Sequence, residues 1–216
     1  MCLRNEGSRT RGSRLVAIAL VLGLAATSGC LGTSSEWSRP RELRDANGFT
    51  ITETVRPGLG ARGDFDRALK ALEAGDTARA IELLEAVTAA EPGLAPAFID
   101  LGIAYARDGK LQQAETSLLR AVELNPRHPA AQNELGIVYR RMGRFAEARA
   151  AYEAALVLHP SFHHARRNLG ILCDLYLADP GCALEQYELY LQAAPEDETV
   201  AMWVADLANR LGRSQE

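Results

Sequence analysis

One spacing governs what this chain can fold into. Pro92, Pro126 and Pro160 stand 34 residues apart, and Pro195 follows after 35. Gly75, Gly109 and Gly143 keep the same interval, as do Ala80, Ala114 and Ala148, with Ala183 one residue late. The dipeptides Leu101-Gly102, Leu135-Gly136 and Leu169-Gly170 fall in step, and Tyr105 matches Tyr139. An interval of this length marks a stack of supersecondary units, none of which can bury its apolar face without a neighbour.

Each repeated residue has a physical reading. The prolines close the second helix of a unit, because proline cannot continue one. Gly75, Gly109 and Gly143 end the first helix, where a left-handed residue is needed. Gly102, Gly136 and Gly170 sit mid-helix at a cost of about 1 kcal/mol against alanine. That cost is tolerable where a second helix must come close, and the later alanines (Ala114, Ala148, Ala183) are expected to meet those glycines. Tyr105 and Tyr139 are expected to fill the space beside Leu118 and Tyr152. Apolar residues make up 47% of the chain but aromatics only 6%, a balance that suits closely packed helices.

The pattern resembles the tetratricopeptide-repeat (TPR) family, over about three-fifths of the chain. The resemblance implies an all-α fold: an α-α superhelix (solenoid) of helix-turn-helix units at 61–94, 95–128, 129–162 and 163–195, then a capping helix and tail at 196–216. The first unit carries Ala68 and Ala71 where glycine and tyrosine would stand. Terminal units are often atypical because they cap the stack. In the final helix Met202, Trp203, Ala205 and Leu207 are expected to cover the last apolar face.

The N-terminus has a different composition. Residues 1–29 carry a net charge of +3 and the rest −7, against −4 for the whole chain. Arg14 is followed by the uncharged run Leu15–Ala26, about half the ~20 residues that a membrane-spanning helix needs. A basic start, a short apolar run and then Thr27-Ser28-Gly29 make up a secretory signal peptide at 1–29. With Cys30 next, this end resembles a bacterial lipobox, although Thr27 stands where leucine is commoner. The resemblance implies acylation of Cys30, and Leu31 in place of aspartate implies the outer membrane, facing the periplasm. The alternative is an ordinary secreted protein cleaved nearby. Several acyl chains, at about 0.8 kcal/mol per buried CH₂, anchor where one chain would not. Residues 30–60 read as a lipidated flexible tether with a reach on the order of 30 Å. Within it Gly48–Val55 is β-leaning, either a docked strand or disordered.

The fourth unit breaks the pattern. Cys173 replaces the tyrosine, and the turn lengthens through Asp179-Pro180-Gly181 to Cys182. In an oxidising compartment a Cys173–Cys182 disulfide is the expectation. The alternative is two buried thiols packed as small apolar groups.

Chemistry-bearing motifs are sparse. His159, His163 and His164 cluster, but Pro160 breaks the helix between them and no matching cysteine or aspartate set is near, so no metal or cofactor is expected. There is no nucleophile elbow, phosphate loop or dinucleotide glycine pattern. An acidic chain gives no reason to expect nucleic acid. The expectation is a binding protein and not an enzyme.

By analogy with the TPR family, the first helices line a concave groove. Its expected lining is Ile99, Asp100, Ile103 and Arg107, then Asn133, Glu134, Ile137, Arg140 and Arg141, then His164, Arg167, Asn168, Ile171 and Asp174. The isoleucines would form an apolar floor. The arginines and asparagines would form a wall that grips an acidic or carboxyl-terminal peptide, or else they merely solvate the groove and pair with Glu134 and Asp174.

The stretches GFTITETVRPG, LGIAYARDGKLQQAE, NELGIVYRRMGRFAEAR, RRNLGILCDLYLADPGCALEQYELY and VAMWVADLANR resemble a narrower group. These are proteobacterial TPR lipoproteins described as components of a TonB-type system. That resemblance implies an envelope protein partner linked to a TonB/ExbB/ExbD-like machine. A pilotin-like lipoprotein assisting an outer-membrane secretin or type IV pilus is the alternative.

Overall fold

The computed structural model describes residues 41–44, 50–53 and 58–212. The signal peptide and Cys30 lie outside the described residues. Within the stretch expected to be a tether, β1 (Arg41–Arg44) and β2 (Thr50–Glu53) pair antiparallel, with Arg41 opposite Glu53 and Arg44 opposite Thr50. This part of 30–60 is therefore ordered backbone, and half of the β-leaning segment is a strand. Thr50, Ile51 and Thr52 are β-branched residues that favour the extended chain.

Helices α1 to α9 follow: Leu59–Glu73, Thr77–Ala90, Ala95–Arg107, Leu111–Leu124, Pro129–Arg141, Phe145–Leu158, His163–Leu175, Pro180–Leu191 and Glu198–Arg210. They form an all-α repeat superhelix. Its first helix begins at Leu59 and so takes in the last two residues of the expected tether. Gly75, Gly109 and Gly143 close the first helix of three units at φ of 76°, 80° and 76°, which glycine alone adopts at no steric cost. Asp76, Asp179 and Asp197 cap α2, α8 and α9 by accepting backbone N–H bonds from Arg79, Cys182 and Val200. Pro92, Pro126, Pro160 and Pro195 each lie in the turn after a second helix, as the spacing predicts.

Helices within a unit pack antiparallel, and each second helix packs on the next unit's first. First helices also touch: α1 meets α3, α3 meets α5, and α5 meets α7. No pair of second helices touches among the described residues. The first helices therefore make the inner, concave layer and the second helices the outer one. The core is a run of alanines, leucines and aromatics from Ala68 to Ala151, continued by Tyr152, Leu172, Tyr187 and Leu207.

The mid-helix glycines make room for large side chains of the second helix. A Cβ on Gly102 would stand 2.5 Å from Leu118 Cγ, one on Gly136 2.6 Å from Tyr152 Cδ1, and one on Gly170 2.5 Å from Tyr187 Cε1. The atoms nearest to these glycines thus belong to large side chains of the second helix, and Ala114, Ala148 and Ala183 are fully buried in the same helices. At the C-terminus Val200 and Leu207 are buried and Trp203 is half-buried against Tyr187, while Met202 and Ala205 stay exposed. No described helix is long and apolar enough to cross a membrane.

Candidate functional site

The register positions of the concave face recur from one first helix to the next. Asp100, Glu134, Asn168 and Trp203 occupy the same place on α3, α5, α7 and α9. Ile103, Ile137 and Ile171 occupy another and are half-buried, so they form the apolar strip expected of a floor. Ile99 and Asn133 do not line an open surface. They are 6% and 4% exposed, because neighbouring first helices pack directly over that position.

The arginines serve two purposes. Arg107 Nη1 donates to the Leu72 carbonyl at 3.0 Å, and Arg141 Nη1 donates to the Ala106 carbonyl. Both acceptors lie in the last turn of the preceding unit's first helix, where carbonyls lack helical partners and the dipole attracts cations. Arg107 and Arg141 therefore tie unit to unit. Arg140 lies 5.7 Å from the Tyr176 ring centroid, with Nη1 3.5 Å from its hydroxyl. Arg167 lies 5.5 Å from the Trp203 ring centroid. Both Nε atoms are buried and make no hydrogen bond among the described residues. These two half-buried guanidiniums are held on aromatic rings at the C-terminal half of the groove. Asp174 is taken by Arg210 at 3.4 Å.

Amides link the inner helices. Asn168 Nδ2 donates to Asn133 Oδ1 at 2.9 Å, and Asn133 Nδ2 donates to Glu134 Oε1 at 3.0 Å. Beside this relay stand two carboxyls with unusual titration. Burial, helped by the Glu134 charge and opposed by Arg107, pushes Asp100 up to about 7. Burial likewise pushes Glu134 up to about 7, against the Asn133 hydrogen bond and the Arg107 charge. The N-terminal half of the groove is thus acidic and the C-terminal half basic.

Cys173 and Cys182 are bonded, with Cα atoms 5.9 Å apart and an S–S distance of 2.09 Å. The bond closes the α7–α8 turn, where Asp179 N donates to the Cys173 carbonyl at 2.9 Å and Ala178 sits at φ 52°. Ligand-type atoms of Cys173, Asp179 and Cys182 lie within 4.8 Å. The disulfide consumes both thiols and Asp179 caps α8, so this group is structural. Of the histidines, His163 and His164 have ring centroids 4.1 Å apart and are tilted by 42°, and His159 faces the Ser161 hydroxyl. A depression of about 410 Å³ lies between α6 and α8 on the outer layer, and its Arg149 and Arg166 are already bonded to Glu153 and Gln186.

Sequence reasoning placed Arg140 and Arg167 in the groove but missed their aromatic seats. The signal was present: Tyr176 and Trp203 each follow their arginine by 36 residues, one repeat plus a short offset.

A family model for the tetratricopeptide repeat matches residues 65–129, 99–161 and 133–175, more than half of the chain. The chain belongs to that family. No curated protein sequence matches it. Among solved structures it resembles a thermophilic TPR protein of Thermus thermophilus at 26% identity, covering 68% of this chain and 80% of that one with a TM-score of 0.61. It resembles MamA of Desulfovibrio magneticus at 21% identity, covering 73% and 89% with a TM-score of 0.63. It also resembles PilF of Pseudomonas aeruginosa at 23% identity, covering 69% and 68% with a TM-score of 0.64. The last two are likenesses of fold alone.

Proposed function

We propose that this protein is a lipid-anchored adaptor of the bacterial envelope that holds a protein partner in the concave face of its repeats. The observation that carries the reading is the inner surface itself. Three first helices in register present an isoleucine strip between an acidic end and an arginine–aromatic end, an arrangement made for recognition of side chains and not for bond chemistry. TPR domains bind protein partners, and the fold supplies the same extended surface here.

The anchor rests on the sequence alone: Arg14, the apolar run Leu15–Ala26, and Thr27-Ser28-Gly29 ahead of Cys30. These support export and acylation, and Leu31 supports the periplasmic face of the outer membrane. The narrower family resemblance supports a partner in a TonB/ExbB/ExbD-like complex. Cross-linked capture from native envelopes tests this, with the lipidated protein beside Cys30→Ala and Arg140→Glu/Arg167→Glu variants. Capture of components of that machine by wild type, lost in the groove variant, supports the reading. Capture of a secretin or pilus component moves it to the pilotin-like alternative. Membrane attachment of Cys30→Ala equal to wild type refutes the lipid anchor.

A further inference from the structure

We propose that the α3–α5 part of the groove seats a cationic side chain of the protein partner, a lysine or arginine, between Asp100 and Glu134. This rests on the adaptor reading and names the chemistry of what the groove holds.

The two carboxyls occupy the same register position on touching helices, half-buried above Ile103 and Ile137. Among the described residues nothing donates a hydrogen bond or an ion pair to Asp100, and Glu134 accepts only the Asn133 amide. On the outer helices and at the C-terminal end of the groove, Glu115, Glu147, Glu153 and Asp174 are each paired with an arginine. Among the described residues the cation that acts on both, Arg107, has its Nη1 on the Leu72 carbonyl of α1.

The other neighbours do not neutralise the pair. From α5 comes Asn133, from α6 the Tyr152 hydroxyl (which feels Glu134), and from α7 Asn168, acting through Asn133. Helices α2 and α4 contribute no charged group that acts on either carboxyl. A half-buried carboxyl beside another either takes up a proton or waits for a cation. A lysine fits both surfaces. Its ammonium offers three donors and no acceptor, and its stem lies on the isoleucines. An acidic residue is repelled, and a neutral apolar one leaves the carboxyls unserved.

The arrangement fixes the sign of the pH effect. Both carboxyls shed their protons as pH rises through about 7, so the cation is held more tightly on the alkaline side. Binding below that point releases protons.

The test uses the full lipidated chain in detergent and three dye-labelled pentapeptides of leucine and alanine, with lysine, norleucine or glutamate at the centre. Fluorescence anisotropy gives each affinity at pH 6 and pH 8. The lysine peptide should bind at least about tenfold tighter than the other two at pH 8, and weaken about tenfold at pH 6, as the ionised fraction of a group titrating near 7 requires. The isosteric variant D100N/E134Q should lose the preference while keeping its fold. A lysine peptide that binds no tighter than norleucine, keeps its preference in D100N/E134Q, or does not bind at all overturns the proposal. Envelope capture by wild type and D100N/E134Q separates this failure from that of the adaptor reading. Equal capture by both overturns the cation seat and leaves the adaptor, and no capture by wild type removes the adaptor.

Discussion

Gly136 of α5 and Tyr152 of α6 are complementary: the tyrosine ring, fully buried, lies where a side chain on residue 136 would be. A Cβ there would stand 2.6 Å from Cδ1 of the ring, which is fully buried. Alanine gains about 1 kcal/mol over glycine in helix propensity, but overpacking costs about 1–3 kcal/mol. Gly136→Ala should therefore lower stability by up to about 2 kcal/mol net, read from the urea midpoint. A variant as stable as wild type would show that this packing is not tight.

Arg107 and Arg141 should matter to the stack and not to the partner. Each joins the end of one unit's first helix to the next. Arg141→Met should cost about 1 kcal/mol, a typical net hydrogen bond, and broaden the unfolding transition as units uncouple. Affinity for a groove partner should be unchanged. A loss of affinity without loss of stability would return Arg141 to the binding wall.

The Cys173–Cys182 bond closes a short loop, with a sequence separation of 9. Loop-closure entropy alone assigns it about 2–3 kcal/mol. Cys173→Ser/Cys182→Ser should lower thermal stability by that order under oxidising conditions, and a reductant should do the same to wild type. Insensitivity of wild type to reductant would contradict the bond's structural role.

The two groove carboxyls predict the pH dependence of stability. Their folded-state pKa values, about 7, lie above the ordinary carboxyl range. Between pH ~4 and 7 the folded chain then binds more protons than the unfolded one, so stability falls as pH rises through that window and levels off above it. Asp100→Asn should remove part of the loss. It should stabilise the protein by on the order of 1–2 kcal/mol at pH 8, less than the full shift suggests because the carboxyl keeps some solvent access. At pH 4 it should have little effect. Thermal melts at both pH values check this, and equal effects at both would contradict it.

The fold was legible because a 34-residue period leaves few architectures open, and Gly75, Gly109, Gly143 and the prolines sit where the repeat demands. The side chain that comes nearest to each mid-helix glycine was not legible. Ala114 and Leu118 are both on α4, one helical turn apart, and spacing alone does not say which of them comes nearer to Gly102. The β1–β2 pair was half legible. Thr50–Glu53 is strand-like by composition, whereas Arg41–Arg44 has no such bias and is known by its pairing, although Asn47-Gly48 between them is a hairpin signal. In the groove, residue positions followed from the family pattern, but charge roles did not. Whether Arg107 reaches solvent or a carbonyl on the previous helix depends on inter-unit packing, which no local pattern encodes. The titration of the α3–α5 carboxyls was hidden for the same reason: it arises from burial of Asp100 and Glu134 between packed helices.

The central claim is that the concave face holds the partner. A photo-activatable cross-linker placed at Ile137 on the inner layer, and separately at Val157, which is 82% exposed on α6 of the outer layer, tests it most directly in native envelopes. The account predicts a defined adduct from position 137 and none from 157. An adduct from 157 with none from 137 would place the interface on the outer layer and contradict the account.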